Sequence, residues 1–471
     1  MYSTGFPAMK YSILPISKII LFTGLFLCLS LPERSYAQDK SYLDSLLHTA
    51  TLNYPLIKAK KLQTQALQYA VKYKRNGLIP SLNASYQVDY ATANNITGMI
   101  YPQYITPISG PPSKGNDYSG VPGSAAALNL QWEPITFGQR GAEIDQAKGQ
   151  LQYGEADQNL TIFQHQIYVI SAWLNYLLVN DLIKVYQSNI DKSAFNLKQA
   201  QTLVVSGLRP GTDSSSFHSE YTRAEMQLIA FERQRDSTLI ALKELVGGKL
   251  PVGLPIDSSL FKNLPAVALA DTSTTDHPEV QLGKANITAN ELALKSLKKS
   301  ILPRLTLWST GYGRGSGIGA DGSVNSSDGW RFQRYNYGVG AQIAFPILEV
   351  FRQKPLWKQQ ELITASSREQ LAQTELHLNT QKEIATSNFQ KALQSAQLAP
   401  QQFHSAEYSY KAIQSRYKSG LINYYDVIQA QQLLFQSAAT VKIAYYGAWR
   451  ALLNEAAYSG SLNLFLNQYG K

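Results

Sequence analysis

The feature that most constrains this chain is an internal repeat. Pro55 and Pro80 recur 223 residues later as Pro278 and Pro303, and each pair bounds a helical pattern. The tripeptide Ser-Gly-Leu at 206–208 recurs at 419–421, an offset of 213. Repeated landmarks of this kind predict two copies of one supersecondary unit. We therefore expect one elongated molecule with two similar halves, although a chain of 471 residues would ordinarily suggest several domains.

Each half follows the order helix, strand, loop, strand, long helix, tight turn, helix. The first repeat is predicted at 38–247 and the second at 276–460. A linker is predicted at 248–275 and a C-terminal tail at 461–471. The two offsets differ because the first half is longer than the second between Pro80 and Ser206. We expect the extra residues in the first long loop, at about 91–123.

Four strands are predicted from the alternation of apolar and polar residues, which is the period of a strand with one apolar face. In the first strand the even-numbered residues from Leu82 to Tyr90 are apolar and the odd-numbered residues are polar. The second and fourth strands alternate similarly. The third, at 304–312, is less regular because Trp308 breaks the parity that Leu305 sets, which suggests a β-bulge.

The helices of the first half are predicted to be unusually long. A helix at about 139–206 contains no proline and would extend roughly 100 Å at 1.5 Å per residue. Two shorter helices, at about 41–77 and 213–246, would together match that length if they were stacked end to end.

The second half repeats this arrangement around a long helix at about 350–419. Pro355 and Pro400 lie within it and are expected to bend or interrupt it, because proline removes a backbone donor and clashes with the preceding turn. The expected product is a long bundle of antiparallel helices.

The number of strands constrains the assembly. Strands of about ten residues have the length needed to cross a membrane in a tilted β-barrel. Four strands cannot close into a barrel, and an open edge in lipid leaves unpaired backbone groups. Transmembrane strands would therefore require a barrel shared between chains, whose number this reasoning does not fix. The alternative is a soluble sheet packed against a layer of helices.

Residues 1–37 are predicted to be a cleaved signal peptide. Lys10 and Lys18 precede an apolar run at 19–31, and Ser-Tyr-Ala at 35–37 resembles a cleavage site. The run of about 13 residues is too short to cross a bilayer comfortably. The one cysteine, Cys28, lies inside this segment. The mature chain is therefore expected to hold neither a disulfide nor a thiolate metal site.

Charge and motifs argue against several other functions. The formal charge of +10 is spread along helical patterns, which indicates a solvated surface and no nucleic-acid partner. The six histidines form no HExxH motif or other close metal-ligand pair, and neither a GxSxG nor a Walker motif occurs. We therefore predict no enzyme and no catalytic, cofactor or metal site. A periplasmic coiled-coil tether without a pore stays open as an alternative function.

The signal peptide, the duplicated helix–strand–strand–helix halves and the Ser-Gly-Leu turns together resemble the TolC-type outer-membrane efflux and secretion ducts. The resemblance implies a mainly α chain of long antiparallel hairpins that form an α-barrel, with four strands per chain in a shared twelve-stranded β-barrel. It implies a homotrimer embedded in outer-membrane lipid. It also implies a passive conduit for efflux or type I secretion, completed by a periplasmic adaptor protein and an inner-membrane pump.

Two tight turns, at 205–213 and 418–427, lie at the far end of the long helices from the strands. Glycine permits the left-handed conformation that ends many helices, short polar side chains cap helix N-termini, and acids complement the helix dipole there. The predicted roles are helix stops at Gly207 and Gly420, caps at Thr212 and Asn423, and dipole complements at Asp213 and Asp426.

The resemblance also assigns functional roles to these turns. The family narrows its entrance with two acids three residues apart; here Asp426 and Gln429 hold those positions, so one acid remains. Tyr417 matches a tyrosine that latches the closed entrance, whereas Ile422 stands where the family has an arginine. The turns would be the tips that contact the adaptor, through Gly207, Leu208, Asp213, Gly420 and Leu421.

Overall fold

The computed structural model describes residues 34–92, 94, 115–252, 254, 260–266, 274–319, 321 and 323–469, with side chains from residue 42 onward. The predicted signal peptide lies outside these residues, apart from its last four positions at the start of the first helix. The elements are α1 (Arg34–Asn53), α2 (Pro55–Asn76), β1 (Ser81–Ala91), β2 (Val121–Ile135), α3 (Gln139–Val205), α4 (Gly211–Leu245), α5 (Pro278–Lys299), β3 (Arg304–Ser316), β4 (Arg334–Ala344), α6 (Glu349–Lys418), α7 (Tyr424–Tyr458) and α8 (Asn463–Leu466), with 3₁₀ turns at Leu260–Lys262, Thr274–Asp276 and Ser326–Trp330.

The order of elements from α2 to α4 is repeated from α5 to α7, and the predicted fold class is confirmed. The long helices α3 and α6 contain 67 and 70 residues. Helix α3 packs against both α4 and α2, and α6 packs against both α7 and α5. Each long helix is therefore matched by two shorter helices, as the lengths predict.

Two details of the helices differ from the prediction. The helix expected at 41–77 is divided at Tyr54, whose φ of −64° and ψ of 125° are extended. A residue that precedes proline is pushed out of the helical region, and Pro55 then occupies the first turn of α2. The expected interruption at Pro355 and Pro400 is wrong, because α6 continues through both. Each proline removes one donor from a long helix that is held by its packing partners.

The four strands form one antiparallel sheet in the order β1-β2-β3-β4. Its register places residues of like character side by side: Leu82 pairs with Leu130, and Asn129 lies between Asn83 and Thr310. One face of the sheet is consequently apolar and the other largely polar. Within the described residues, β1 and β4 are edge strands with no further strand beside them.

The irregularity expected in the third strand lies in its neighbour. The pairing of β3 with β4 is unbroken from Arg304 to Arg314, and the register shift falls in β2 between Trp132 and Ile135. Trp308 lies on the polar face, where a Cβ built on Gly340 would approach its ring to 2.6 Å. A large ring fits there because the facing residue of β4 has no side chain.

The largest apolar core lies around the middle of the helices, where α1, α3, α7 and α8 meet. Polar atoms of its aromatic residues are paired: Trp173 Nε1 donates to Tyr469 Oη at 2.6 Å, and Trp449 Nε1 donates to the Asn263 carbonyl at 3.1 Å. These bonds tie the C-terminal tail to α3 and the linker to α7.

Candidate functional site at the hairpin turns

The two turns end their helices in the same way. Gly207 and Gly420 have φ values of 69° and 73°, so both predicted left-handed stops are confirmed. The amides of Leu208 and Leu421 donate to the Leu203 and Arg416 carbonyls at 2.9 and 3.0 Å. The glycine amides donate to Val204 and Tyr417 carbonyls, at 3.0 and 2.9 Å, which completes a Schellman motif at each end.

The helices that follow the turns begin differently. Asn423 caps α7 by accepting from the Asp426 amide at 3.2 Å, as predicted. The predicted cap at Thr212 is wrong. Pro210 occupies the cap position of α4 with an extended backbone, which places Thr212 inside the first helical turn, and no side chain caps that helix.

Asp213 and Tyr417 form a buried pair that joins the two hairpins. Both are less than 5% exposed. Tyr417 Oη donates to Asp213 Oδ2 at 3.2 Å. Burial raises the pKa of Tyr417 to about 12, and the charge of Asp213 acts in the same direction. Tyr417 therefore keeps its proton at physiological pH and remains a donor. Neither role predicted for Asp213, dipole complement or adaptor contact, anticipated this bond to Tyr417.

Arg209 joins the same two turns. Its Nη2 donates to the Ile422 carbonyl at 2.6 Å and to the Tyr417 carbonyl at 3.4 Å. Its guanidinium also lies 4.8 Å from the centre of the Tyr417 ring, within reach of a cation–π interaction. The repeat contained the signal for this contact, because Arg209 plus the offset of 213 is Ile422. An arginine of the first turn therefore reaches the residue that holds the equivalent position in the second turn.

The remaining predicted site residues lie on the surface of the turns. Leu208 and Leu421 are 71% and 70% exposed. Asp426 is half-buried in the first turn of α7, and Gln429 is exposed one turn further on. The structure thus brings Tyr417 and Asp213 together, while Asp426 and Gln429 lie on the helix beside them.

A polar network lies behind the turns and was not predicted. Asn196 Nδ2 donates to Tyr410 Oη at 3.0 Å and to Gln431 Oε1 at 2.6 Å. Gln431 Nε2 donates to Asn189 Oδ1 at 3.0 Å and to Ser193 Oγ at 2.7 Å. Because these buried groups satisfy one another across α3, α6 and α7, the network fixes the register of the helices. Isolated amides in helical patterns give no sequence signal for such pairing.

The described residues contain no group of three or more histidine, cysteine, aspartate or glutamate side chains that could hold a metal ion. No helix among them combines the length and hydropathy needed to cross a membrane.

Comparison with known proteins gives one consistent family. A family model described as outer membrane efflux protein matches residues 46–248 and 270–454. The chain is 23% identical to the solvent efflux pump outer membrane protein SrpC of Pseudomonas putida over 266 residues, which are 54% of this chain and 53% of SrpC, so the match spans about half of that relative. It is 23% identical to the cobalt-zinc-cadmium resistance protein CzcC of Cupriavidus metallidurans over 333 residues, or 69% of this chain and 73% of CzcC.

The fold has close counterparts among solved structures. The structure of CusC, which forms a transmembrane channel, superimposes with a TM-score of 0.73 at 14% identity. The superposition covers 89% of this chain and 92% of CusC. At that identity the likeness concerns the fold.

Proposed function

Because the chain belongs to the outer membrane efflux protein family, we propose that it is the outer-membrane channel of a tripartite efflux system. In this role it is a passive conduit from the periplasm to the exterior and catalyses no reaction. A periplasmic adaptor and an inner-membrane pump complete the path. The related proteins carry names that refer to solvents in one case and to metal ions in another, so we assign the choice of cargo to the pump.

The observation that carries this proposal is the open sheet at one end of the long hairpins. Its apolar face suits lipid, its polar face suits a water-filled lumen, and its edge strands β1 and β4 lack partners among the described residues. In hydrocarbon each unpaired backbone group costs several kcal/mol. Three copies would close a twelve-stranded barrel, in which β4 of one chain pairs with β1 of the next.

The hairpin turns would then form the periplasmic entrance. Tyr417 and Asp213 hold the two hairpins of a chain together, and three copies of Asp426, with Gln429 beside them, would line the opening. The exposed apolar turns would be the surface on which the adaptor docks, through Gly207, Leu208, Gly420 and Leu421. Asp213 is buried against Tyr417, so it would support this surface from inside and would not touch the adaptor itself.

The test is reconstitution of the purified full chain in planar lipid bilayers, with native mass spectrometry in mild detergent. We expect a trimer and discrete conductance steps. A stable oligomer that never conducts would favour the tether. A water-soluble monomer would overturn both the shared barrel and the channel.

A further inference from the structure

A cavity lies at the seam between the two hairpins, well above the turns. It has a volume of about 260 Å³ and opens between α3 on one side and α6 and α7 on the other. Its lining on α3 runs from Asp181 to Lys192. Lys192 is 13 residues from the end of α3, which places the near end of the cavity roughly 20 Å from the turn.

The floor of this seam cavity is apolar. Leu434 is buried, and Phe403 and Phe435 contribute aromatic rings. Phe435 is supported from behind by Tyr186, whose ring centre lies 4.9 Å away. Asn189 and Gln431 line the end nearer the turns, but they bond to each other. An apolar ligand body would therefore displace no polar contact from the floor.

The rim of the seam cavity carries a surplus of positive charge. Among the described residues that line it, three are lysines and two are acids, which leaves one net positive charge in this set. Asp181 is held by Lys442 at 3.0 Å and by Lys184 at 3.2 Å. Glu407 is held by Lys411, which lies outside the lining, at 2.9 Å.

Lys192 provides the unbalanced charge. Its Nζ donates to Ser188 Oγ at 2.6 Å. The charge of Lys192 also acts on Glu407, but the ion pair of Glu407 is made with Lys411, so two lysines share this one carboxylate. The side chain is half-buried beside the apolar floor, where an ammonium group attracts an anion more strongly than it does in open water.

We propose that this seam cavity is a binding site for a small amphipathic monoanion, such as an aromatic or short-chain carboxylate or sulfonate. Its anionic head contacts Lys192, and its apolar body lies on Leu434 and Phe435. The volume is below the roughly 300–1,000 Å³ of sites for drug-sized ligands, which limits the body to one ring or a short chain. The walls belong to both hairpins, so a bound anion favours the present arrangement of the hairpins over any other.

The test uses fluorine NMR with trifluoromethylbenzoate as the probe, on the full chain in lipid nanodiscs, with empty nanodiscs to subtract partition into lipid. We expect saturable binding at one site per chain. Lys192→Gln should weaken binding about tenfold, the loss expected for one charge-assisted hydrogen bond. Lys198→Gln, which removes the same charge from an exposed position of α3, should leave binding unchanged.

A second pair of variants tests the cavity itself. Ala438→Trp fills the space without altering charge and should abolish binding, whereas Ala439→Trp, one residue along α7 and outside the lining, should not. Absence of saturable binding, equal effects within either pair, or equal affinity for the neutral trifluoromethylbenzamide would overturn the proposal. The site lies within one chain, so these outcomes are independent of whether the protein conducts.

Discussion

At the residue scale, one hydrogen bond, from Tyr417 to Asp213, joins the two hairpins at the turns. A buried carboxylate whose donor is removed retains its full desolvation cost, about 1–3 kcal/mol or more. Tyr417→Phe removes that donor and changes the shape very little. We expect the hairpins to separate more readily and the open probability in planar bilayers to rise.

The matched control for this substitution is Tyr408→Phe. Tyr408 lies on the same helix but is 79% exposed, so loss of its hydroxyl should leave the open probability unchanged. If both variants behave like the original protein, the hydrogen bond to Asp213 does not hold the entrance.

Asp426 supports a second prediction at this scale. Three carboxylates around a narrow opening favour cations, and at 0.1 M salt their field extends about 10 Å. Asp426→Ala should therefore move the reversal potential in a salt gradient towards that of a non-selective pore. Asp236→Ala, which removes an exposed acid from α4, is the control. An unchanged reversal potential in Asp426→Ala would remove this residue from the entrance.

At the element scale, the start of α5 contains a buried histidine that can take up a proton as the pH falls. His277 caps the helix: its Nδ1 accepts from the Glu279 amide at 3.1 Å, while Nε2 lies 3.1 Å from the Ala457 carbonyl, to which it donates. Burial lowers the pKa of His277, although the bond to Ala457 acts in the opposite direction. Protonation of Nδ1 would destroy the cap.

The pH dependence of stability follows from that lowered pKa. The unfolded chain binds the proton first as the pH falls, because its histidine pKa is about 6.5 and the folded-state pKa is lower. The stabilisation is complete above about pH 6.5 and declines as the pH falls below it. The protection of the first-turn amides of α5 against hydrogen exchange, relative to their intrinsic exchange rates, should therefore decrease between pH 7 and pH 5.

His277→Asn should remove part of this loss of protection, because asparagine keeps the capping acceptor but does not titrate. Burial also lowers the pKa of His165, which supplies a separate contribution elsewhere on the helices. His404→Asn, at an exposed position of α6, serves as the control. The same acid dependence in all three proteins would show that His277 is not the sensor.

The elements of this fold were largely predictable because their signals are local. Two-residue alternation fixed β1, and the repeated glycines fixed the turns at Gly207 and Gly420. The contacts that depend on two distant segments were not predictable. Arg209 reaches Ile422, and Asn196 reaches Gln431, only after the hairpins have packed. Trp308 appeared irregular because the glycine that accommodates it is on another strand.

At the scale of the whole molecule, the same substitution to arginine should have different effects on the two faces of the sheet. Val339 lies in the middle of β4 on the face that would meet lipid, and it is 74% exposed in the single chain. Asn336 lies on the same strand with the opposite parity, facing the proposed lumen. An arginine costs about 2–4 kcal/mol at the bilayer midplane, but little where water is present.

Val339→Arg should therefore reduce the fraction of protein that inserts into outer-membrane vesicles and weaken the trimer, as judged by the temperature at which it dissociates in detergent. Asn336→Arg should insert normally and alter only ion selectivity. Equal insertion of the two variants would mean that water bathes both faces of the sheet. Water could then hydrogen-bond the unpaired backbone groups of β1 and β4, and no physical cost would require neighbouring chains to close the barrel.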